Sequence, residues 1–326
     1  MTRASSDDTW SYVLDARISH VRTFRECLLA IKIDKHSRAR VRADERGVTF
    51  ATRDGSKTCA ASVNFRAEVF ASYACDDRGF GGRHDETCAF EVNLTSLIDV
   101  LGAFAARDGD GDARLRWPNR EGAVSLELSS ARATGERDFK QCIYSEIAPE
   151  ASNDGDERGE ELSFRDEANA FMLPTATLKE IVDDLEWPAS DVQIDVDVGA
   201  LRFSGYGAGI GDLKIDVDTE GGRLTEFTCR QASTSRYKYR FLKSATTVGA
   251  SFLGASAGGS DENVTMTRVA ISNTGFLKIV HLLHLSRSVS FGSTGGLNEL
   301  MVPVTFILCP ILSDGEMMDD GESEEV

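Results

Sequence analysis

Three cations stand at Arg236, Arg240 and Lys243 in the run RYKYRFLK, spaced by four and then three residues. On a helix that spacing puts all three on one face. With Lys238 beside them, the chemistry on offer is contact with phosphate oxygens, salt-dependent and blind to base sequence. Ala232-Ser233-Thr234-Ser235 just before supplies hydroxyls suited to capping a helix. The expectation is a short strand through Leu224, Phe227 and Cys229 feeding a helix that begins at Arg236. Phe241 and Leu242 are left to pack on the other side, with Tyr237 at the margin.

Other residues offer different chemistry. The pairs Asp195/Asp197 and Asp216/Asp218 have the composition of a two-metal site, such as that of a metal-dependent 3'-5' exonuclease. Alternation within a strand, however, sets Ile194, Val196 and Val198 on one face and the aspartates on the other, and Ile215 and Val217 repeat the pattern. A half-buried strand with an acidic solvent face accounts for both pairs without metal. Gly205-Tyr206-Gly207-Ala208-Gly209-Ile210-Gly211 has the glycines of a phosphate loop but no Lys-Ser/Thr and no helix after it, and reads as a tight strand connection. His281 and His284 are three apart in an apolar strand and fall on opposite faces. The seven cysteines (Cys27, Cys59, Cys75, Cys88, Cys142, Cys229, Cys309) contain no CxxC pair and read as reduced thiols. No catalytic residue, cofactor or metal is expected.

A net charge of −17 ordinarily argues against a nucleic-acid partner. Its distribution changes that reading. Ser313 to Val326 holds seven acids and no base, and Ser145 to Leu162 holds seven acids and one base. Together they carry thirteen of the seventeen net negative charges, so the rest of the chain is close to balanced and has room for a basic patch. The N-terminus MTRASSDDTW has no signal-peptide apolar core, and no apolar run is long enough to span a bilayer. An intracellular protein is the expectation.

The elements that must position these residues follow from periodicity. Residues 1–11 read as disordered. Tyr12 to Ile18 alternates as a strand, and Val21, Phe24, Leu28 and Ile31 recur at helical spacing, with Arg22, Arg25 and Lys32 off the apolar stripe. Strands at 39–42 and 48–50 are joined by the turn Asp44-Glu45-Arg46-Gly47. A strand from Lys57 to Phe65 follows, then one from Cys88 to Val92, the helix NLTSLIDVLGAF with Asn93 as its N-cap, and short strands near Leu115 and Val124 to Leu128. Residues 141–163 read as an acidic linker. The same grammar then returns: a strand at 170–173, a helix with Leu178, Ile181, Val182 and Leu185 inward, and strands at 192–198 and 201–206. Ile31 to Leu185 is 154 residues and Phe50 to Phe203 is 153, which marks an internal duplication. Cys88 to Phe104 is matched with Thr225 to Leu242, and strands near 264–271, 276–285 and 302–309 close the second unit. The predicted units are 12–140 and 164–311, followed by an acidic disordered tail over 312–326.

Tandem α+β units of this kind resemble the sliding clamp. FEVNLTSLIDVLGAF (90–104), LRFSGYGAGIGDLKID (201–216), EFTCRQASTSRYKYRFLKSAT (226–246), TGFLKIVHLL (274–283) and VPVTFILCP (302–310) resemble the Rad-one subunit of the DNA-damage checkpoint clamp. The blocks keep the family's order over most of 12–310. The chain departs from it in the acidic linker, in loops 76–86 and 254–262, in 286–300 and in the tail. The resemblance implies two PCNA-like clamp domains, with antiparallel sheets outside and two helices each lining the inner face. It implies a non-enzymatic nuclear subunit of a heterotrimeric ring with Rad-nine-like and Hus-one-like partners. A clamp loader would place that ring on double-stranded DNA, where it recruits checkpoint and repair proteins and supports activation of the ATR kinase. A homotrimeric replication clamp is the alternative within the same architecture. On this reading Arg236, Lys238, Arg240 and Lys243, with Arg22, Arg25 and Lys32, face the duplex. Tyr144 and Ile147 of the linker are candidates for docking near a partner pocket.

Overall fold

The computed structural model describes residues 12–76, 88–105, 112–134, 137–147, 162–186, 190–207, 211–222, 224–253, 265–285 and 300–311. Its element order repeats. The first half runs β1 (Leu14–Ile18), α1 (Val21–Ala30), β2 (Arg38–Asp44), β3 (Gly47–Arg53), β4 (Cys59–Arg66), β5 (Ser72–Cys75), β6 (Cys88–Asn93), α2 (Leu94–Ala105), β7 (Asp112–Trp117), β8 (Val124–Thr134) and β9 (Arg137–Ile147). The second runs β10 (Glu167–Pro174), α3 (Thr175–Asp184), β11 (Asp191–Asp197), β12 (Ala200–Gly207), β13 (Gly211–Val217), β14 (Glu226–Cys229), β15 (Ser233–Lys238), α4 (Tyr239–Leu253), β16 (Met266–Ser272), β17 (Leu277–Leu285) and β18 (Leu300–Leu308). A short 3-10 turn at Ala67–Val69 lies between β4 and β5.

Local chemistry sets these elements. In α1 the residues Val21, Phe24, Cys27 and Leu28 are buried on one stripe, continued by Ile31 at the C-cap. Phe24 stacks on Phe65 with ring centroids 4.4 Å apart and meets Phe50 edge-on at 5.9 Å, so the helix seats on the inner face of β3 and β4. Asn93 caps α2 by accepting the Ser96 N–H at 3.0 Å, as expected. Strand β2 alternates arginines outward with Ala39, Val41 and Ala43 inward. At its end Asp44 Oδ1 accepts the N–H groups of Arg46 (2.7 Å) and Gly47 (3.1 Å), an Asx turn that closes the expected hairpin. Gly47 holds φ +149° with Phe65 O only 2.0 Å from where a Cβ would lie, so the turn admits no side chain there.

The strands form three antiparallel sheets, ordered β5-β1-β7-β8-β9, β14-β10-β16-β17-β18-β4-β3-β2-β6 and β13-β12-β11-β15. The nine-stranded sheet is two pieces. Its β14-β10-β16-β17-β18 portion has the order of the five-stranded sheet one repeat later, and β4-β3-β2-β6 likewise matches β13-β12-β11-β15. The pieces join where β18 pairs with β4, from Val304↔Val63 to Leu308↔Cys59. Inner faces meet directly, as at Phe171–Phe203 (6.1 Å) and Phe90–Trp117 (4.8 Å).

Three expectations are corrected. Residues 141–147 belong to β9, paired with β8 as far as Val124↔Ile147, rather than to a linker. Acidic residues such as Glu146 sit on the strand without breaking it, and Ile147 is buried instead of free to dock. The counterpart of β6-α2 is β15-α4, beginning at Ser233 rather than Thr225. Strand β14 belongs with β5 in the repeat and pairs with β10. Finally, Ser233 to Lys238 is strand, not helix cap and first turn. The tail and the loops at 77–87, 254–264 and 286–299 lie outside the described residues.

Candidate nucleic-acid interface

Each half presents a helix pair, α1 against α2 and α3 against α4. On α1, Arg22 is exposed and Arg25 reaches across to α2. The Arg25 Nε donates to Ile98 O at 3.2 Å, and the guanidinium lies over Gly102, where a Cβ would come within 2.9 Å of Nε. Arg25 is therefore a strap between helices with part of its charge turned outward. Lys32 follows the helix, its N–H donating to Leu29 O at 3.1 Å.

The second pair is different. Arg240 and Lys243 lie on α4, and Arg240 is exposed, its guanidinium 4.4 Å from the Phe241 ring centroid. Lys243 Nζ lies 2.5 Å from Glu186 Oε1 just past α3, and that carboxylate raises the lysine's pKa. Lys179 pairs with Asp183 one turn on. Glu180, Asp184 and Glu186 are exposed, so the α3/α4 surface is nearly balanced rather than basic.

Arg236 and Lys238 do not share the helical face. Strand β15 pairs with β11 in register Asp191↔Lys238, Gln193↔Arg236 and Asp195↔Thr234. Ser235 and Tyr237 are buried, and Tyr237 donates its hydroxyl to Gly275 O at 2.7 Å. Alternation then sends Thr234, Arg236 and Lys238 to the sheet face opposite the core. There Arg236 lies over the Tyr206 ring, 5.2 Å from its centroid. The helical spacing of 236, 240 and 243 spans a strand–helix boundary at 238/239. The signal that would have placed it is the period-two alternation of Ser235, Tyr237 and Tyr239 with polar neighbours. Glu186, which engages Lys243, was not singled out in the sequence at all.

The carboxylate pairs are occupied by neighbours. Asp195 accepts from Thr234 Oγ1 at 2.8 Å and Gln193 Nε2 at 2.9 Å, and Asp216 accepts from Arg202 Nε at 2.6 Å. Asp218 accepts the N–H groups of Glu220 and Gly221 in a turn. Among the described residues no cluster of three His, Cys, Asp or Glu has metal-site geometry. The glycine-rich stretch joins β12 to β13 as a hairpin, with 208–210 outside the described residues.

His281 is fully buried in a chain of bonds. Its Nε2 donates to Ala245 O (2.8 Å), its Nδ1 accepts from Thr267 Oγ1 (2.8 Å), and Thr267 in turn accepts from Thr175 Oγ1 (2.7 Å). The carbonyl fixes the neutral tautomer, and each later donor follows from it. Burial lowers the His281 pKa to about 4. The chain ties α3, α4, β16 and β17 together, which is architecture rather than chemistry. Cys27 and Cys59 are buried free thiols pushed up to about 12, so they are unreactive.

A twice-repeated α+β plan, with nine strands and two helices per repeat among the described residues, antiparallel sheets and paired helices, is the sliding-clamp type of fold. The family model described as "Repair protein Rad1/Rec1/Rad17" matches residues 13–251, and the chain belongs to that family. The cell cycle checkpoint protein RAD1 of Mus musculus is 24% identical over 251 residues, 76% of this chain and 82% of the relative. The protein of the same name from Homo sapiens is 24% identical over the same length, covering 81% of that relative.

Proposed function

We propose that the chain is one subunit of a heterotrimeric checkpoint clamp that encircles duplex DNA. The observation that carries the reading is the equivalence of edges. In the repeat, β18 corresponds to β9 and β4 to β13, and β18 pairs with β4 inside the chain. Of the six edge strands among the described residues (β5, β6, β9, β13, β14 and β15), β9 and β13 are the counterparts of the two strands of that seam, one of each kind. An edge strand with unmet backbone groups is a template for another chain. A molecule in which two edges repeat the two partners of its own internal seam can continue in both directions and close into a ring. Half-buried Leu213, Ile215 and Val217 on β13 add apolar surface to that edge.

The relatives' names, cell cycle checkpoint protein, support a checkpoint role over replication. In this reading the ring is a heterotrimer with Rad-nine-like and Hus-one-like subunits, placed by a clamp loader in the nucleus. The work is topological and non-enzymatic. The helix pairs line the hole in this reading, and Arg22, Arg25, Lys32 and Arg240 supply phosphate contacts, with Lys243 weakened by Glu186. Arg236 and Lys238, turned to the opposite sheet face, serve the outer surface. Repair and checkpoint proteins would meet the ring on that surface.

Co-expression with candidate partner subunits and native mass measurement tests the assembly. A one-to-one-to-one complex that Ile215→Lys disrupts, while the folded monomer survives, is the expected result. A self-associated trimer overturns it in favour of a homotrimeric clamp.

A further inference from the structure

Arg25 crosses from α1 to α2 at the one point where α2 has no side chain. Its Nε donates to Ile98 O at 3.2 Å. Within α2 that carbonyl is the helical partner of the Gly102 N–H one turn on, so Gly102 lies directly beside the acceptor. A Cβ at Gly102 would stand 2.9 Å from Nε, 3.2 Å from Nη2 and 3.3 Å from Cζ of Arg25, all closer than ordinary van der Waals contact. The guanidinium therefore lies in a notch that a side chain at 102 would fill. Neither terminal nitrogen of Arg25 has a hydrogen-bond partner among the described residues, and neither is sealed from solvent. Glu26 and Asp99 are the acids of these two helices, and neither bonds to it among the described residues.

The duplicated position behaves differently. The 154-residue interval that relates Ile31 to Leu185 also relates Arg25 to Lys179. Lys179 pairs with Asp183 one turn on, so its charge is met within α3. The same interval places that Asp183 where α1 has Leu29.

We propose that Gly102 is a positioning residue for DNA: the notch it leaves in α2 fixes Arg25 with its two terminal nitrogens open to solvent, set for one backbone phosphate. The proposal rests on the reading that the helix pairs line the hole of a ring around duplex DNA. A mobile arginine loses side-chain freedom when it grips a phosphate. Arg25 has given up most of that freedom on folding, so the contact costs less to make. Its planar fork also offers two neighbouring donors to two phosphate oxygens, which a lysine cannot match. Lys179, neutralised by Asp183, adds little at the equivalent place.

Salt titration of duplex binding by the assembled ring tests this. Arg25→Ala should weaken binding about tenfold at about 0.1 M NaCl and reduce the slope of log affinity against log salt by about 0.9, the share of one phosphate. Gly102→Ala keeps the charge but pushes the fork out of its notch. It should weaken binding about threefold at an unchanged slope, and add nothing to Arg25→Ala. Arg25→Lys, which keeps the charge and loses the fork, should behave like Gly102→Ala, and Lys179→Ala should change neither affinity nor slope. Alanine favours a helix more than glycine does, so a thermal midpoint at or above wild type shows that Gly102→Ala is intact. Should the midpoint fall, Arg25→Lys decides alone. Wild-type affinity in Gly102→Ala and Arg25→Lys, or a Gly102→Ala loss that adds in full to that of Arg25→Ala, overturns the positioning role. A loss in Lys179→Ala equal to that in Arg25→Ala overturns the contrast between the halves. If Arg25→Ala leaves affinity and slope unchanged, the duplex-facing reading of α1 fails, and the proposal falls with it.

Discussion

Lys243 Nζ sits 2.5 Å from Glu186 Oε1, so the cation nearest the middle of α4 is already bound to a carboxylate of its own chain. A lysine in that state loses part of its attraction for phosphate, whereas Arg240, three residues earlier, lies against the Phe241 ring and makes no ion pair among the described residues. Arg240→Ala should therefore weaken binding of the assembled ring to duplex DNA more than Lys243→Ala. Glu186→Gln should strengthen it severalfold at low salt. Titration of DNA affinity against salt checks this: equal losses for the two alanine variants, or no gain for Glu186→Gln, would contradict the assignment.

The His281 chain has a pH signature. Its folded pKa, about 4, lies below the ordinary value of 6.5, so the unfolded state takes up the proton first. Stability is complete above about pH 6.5 and falls as pH drops toward 4, by up to about 3 kcal/mol. Urea unfolding midpoints at pH 7.5, 6 and 5 should show the decline, and His281→Leu should flatten it while lowering stability at pH 7.5. A wild-type decline that persists undiminished in His281→Leu would assign it to other groups.

Asp54 is buried and accepts the N–H groups of Ser56 (3.1 Å), Thr58 (2.7 Å) and Cys59 (2.6 Å), shaping the loop whose carbonyls meet Cys309. Desolvation pushes its pKa up, but the Ser56 hydroxyl and these N–H groups outweigh it and hold the pKa below the usual carboxylate value, so its contribution is present near neutral pH and is lost as pH falls through the carboxylate range. Asp54→Ala leaves buried donors unmet and should cost about 2 kcal/mol. Equilibrium unfolding with hydrogen exchange at Cys309 checks both the size and the place of the effect. Unchanged protection at Cys309 would show that the loop does not support the β18–β4 seam.

The aspartates of β11 and β13 should carry no catalysis. Asp195 is bonded to Thr234 and Gln193, and Asp216 to Arg202, an arrangement that stabilises a strand surface. Purified protein incubated with duplex and single-stranded DNA and Mg²⁺ should release no nucleotides, with Asp195→Ala indistinguishable from wild type. Cleavage abolished by that substitution would restore the nuclease reading.

Much of the repeat was legible because burial imposes period on sequence. The α1 stripe of Val21, Phe24, Leu28 and Ile31 and the matched Phe50 and Phe203 follow from elements that must each cover one core face. The boundary at Lys238/Tyr239 was not legible from charge spacing, because three cations can fit a helical period by chance while the strand's own alternation is carried by Ser235 and Tyr237, only one of them large. Strand β9 was hidden by its acidic end, whose carboxylates look the same on a strand edge as in a tether. The pairing of β18 with β4 joins residues more than two hundred positions apart, and no local pattern encodes that choice of neighbour. Nor does local sequence pair Glu186 with Lys243, which only the packing of α3 on α4 brings together.

The β18–β4 seam has a mechanical meaning. Its two sides belong to one polypeptide, so the strands cannot diffuse apart, and loss of their ladder would require the chain itself to unfold locally. In a ring built as proposed, the seams made by β9 and β13 have no such tether and are held by association alone. Any break wide enough to thread a duplex must then fall between chains, and each chain moves through opening and closing as one rigid arc.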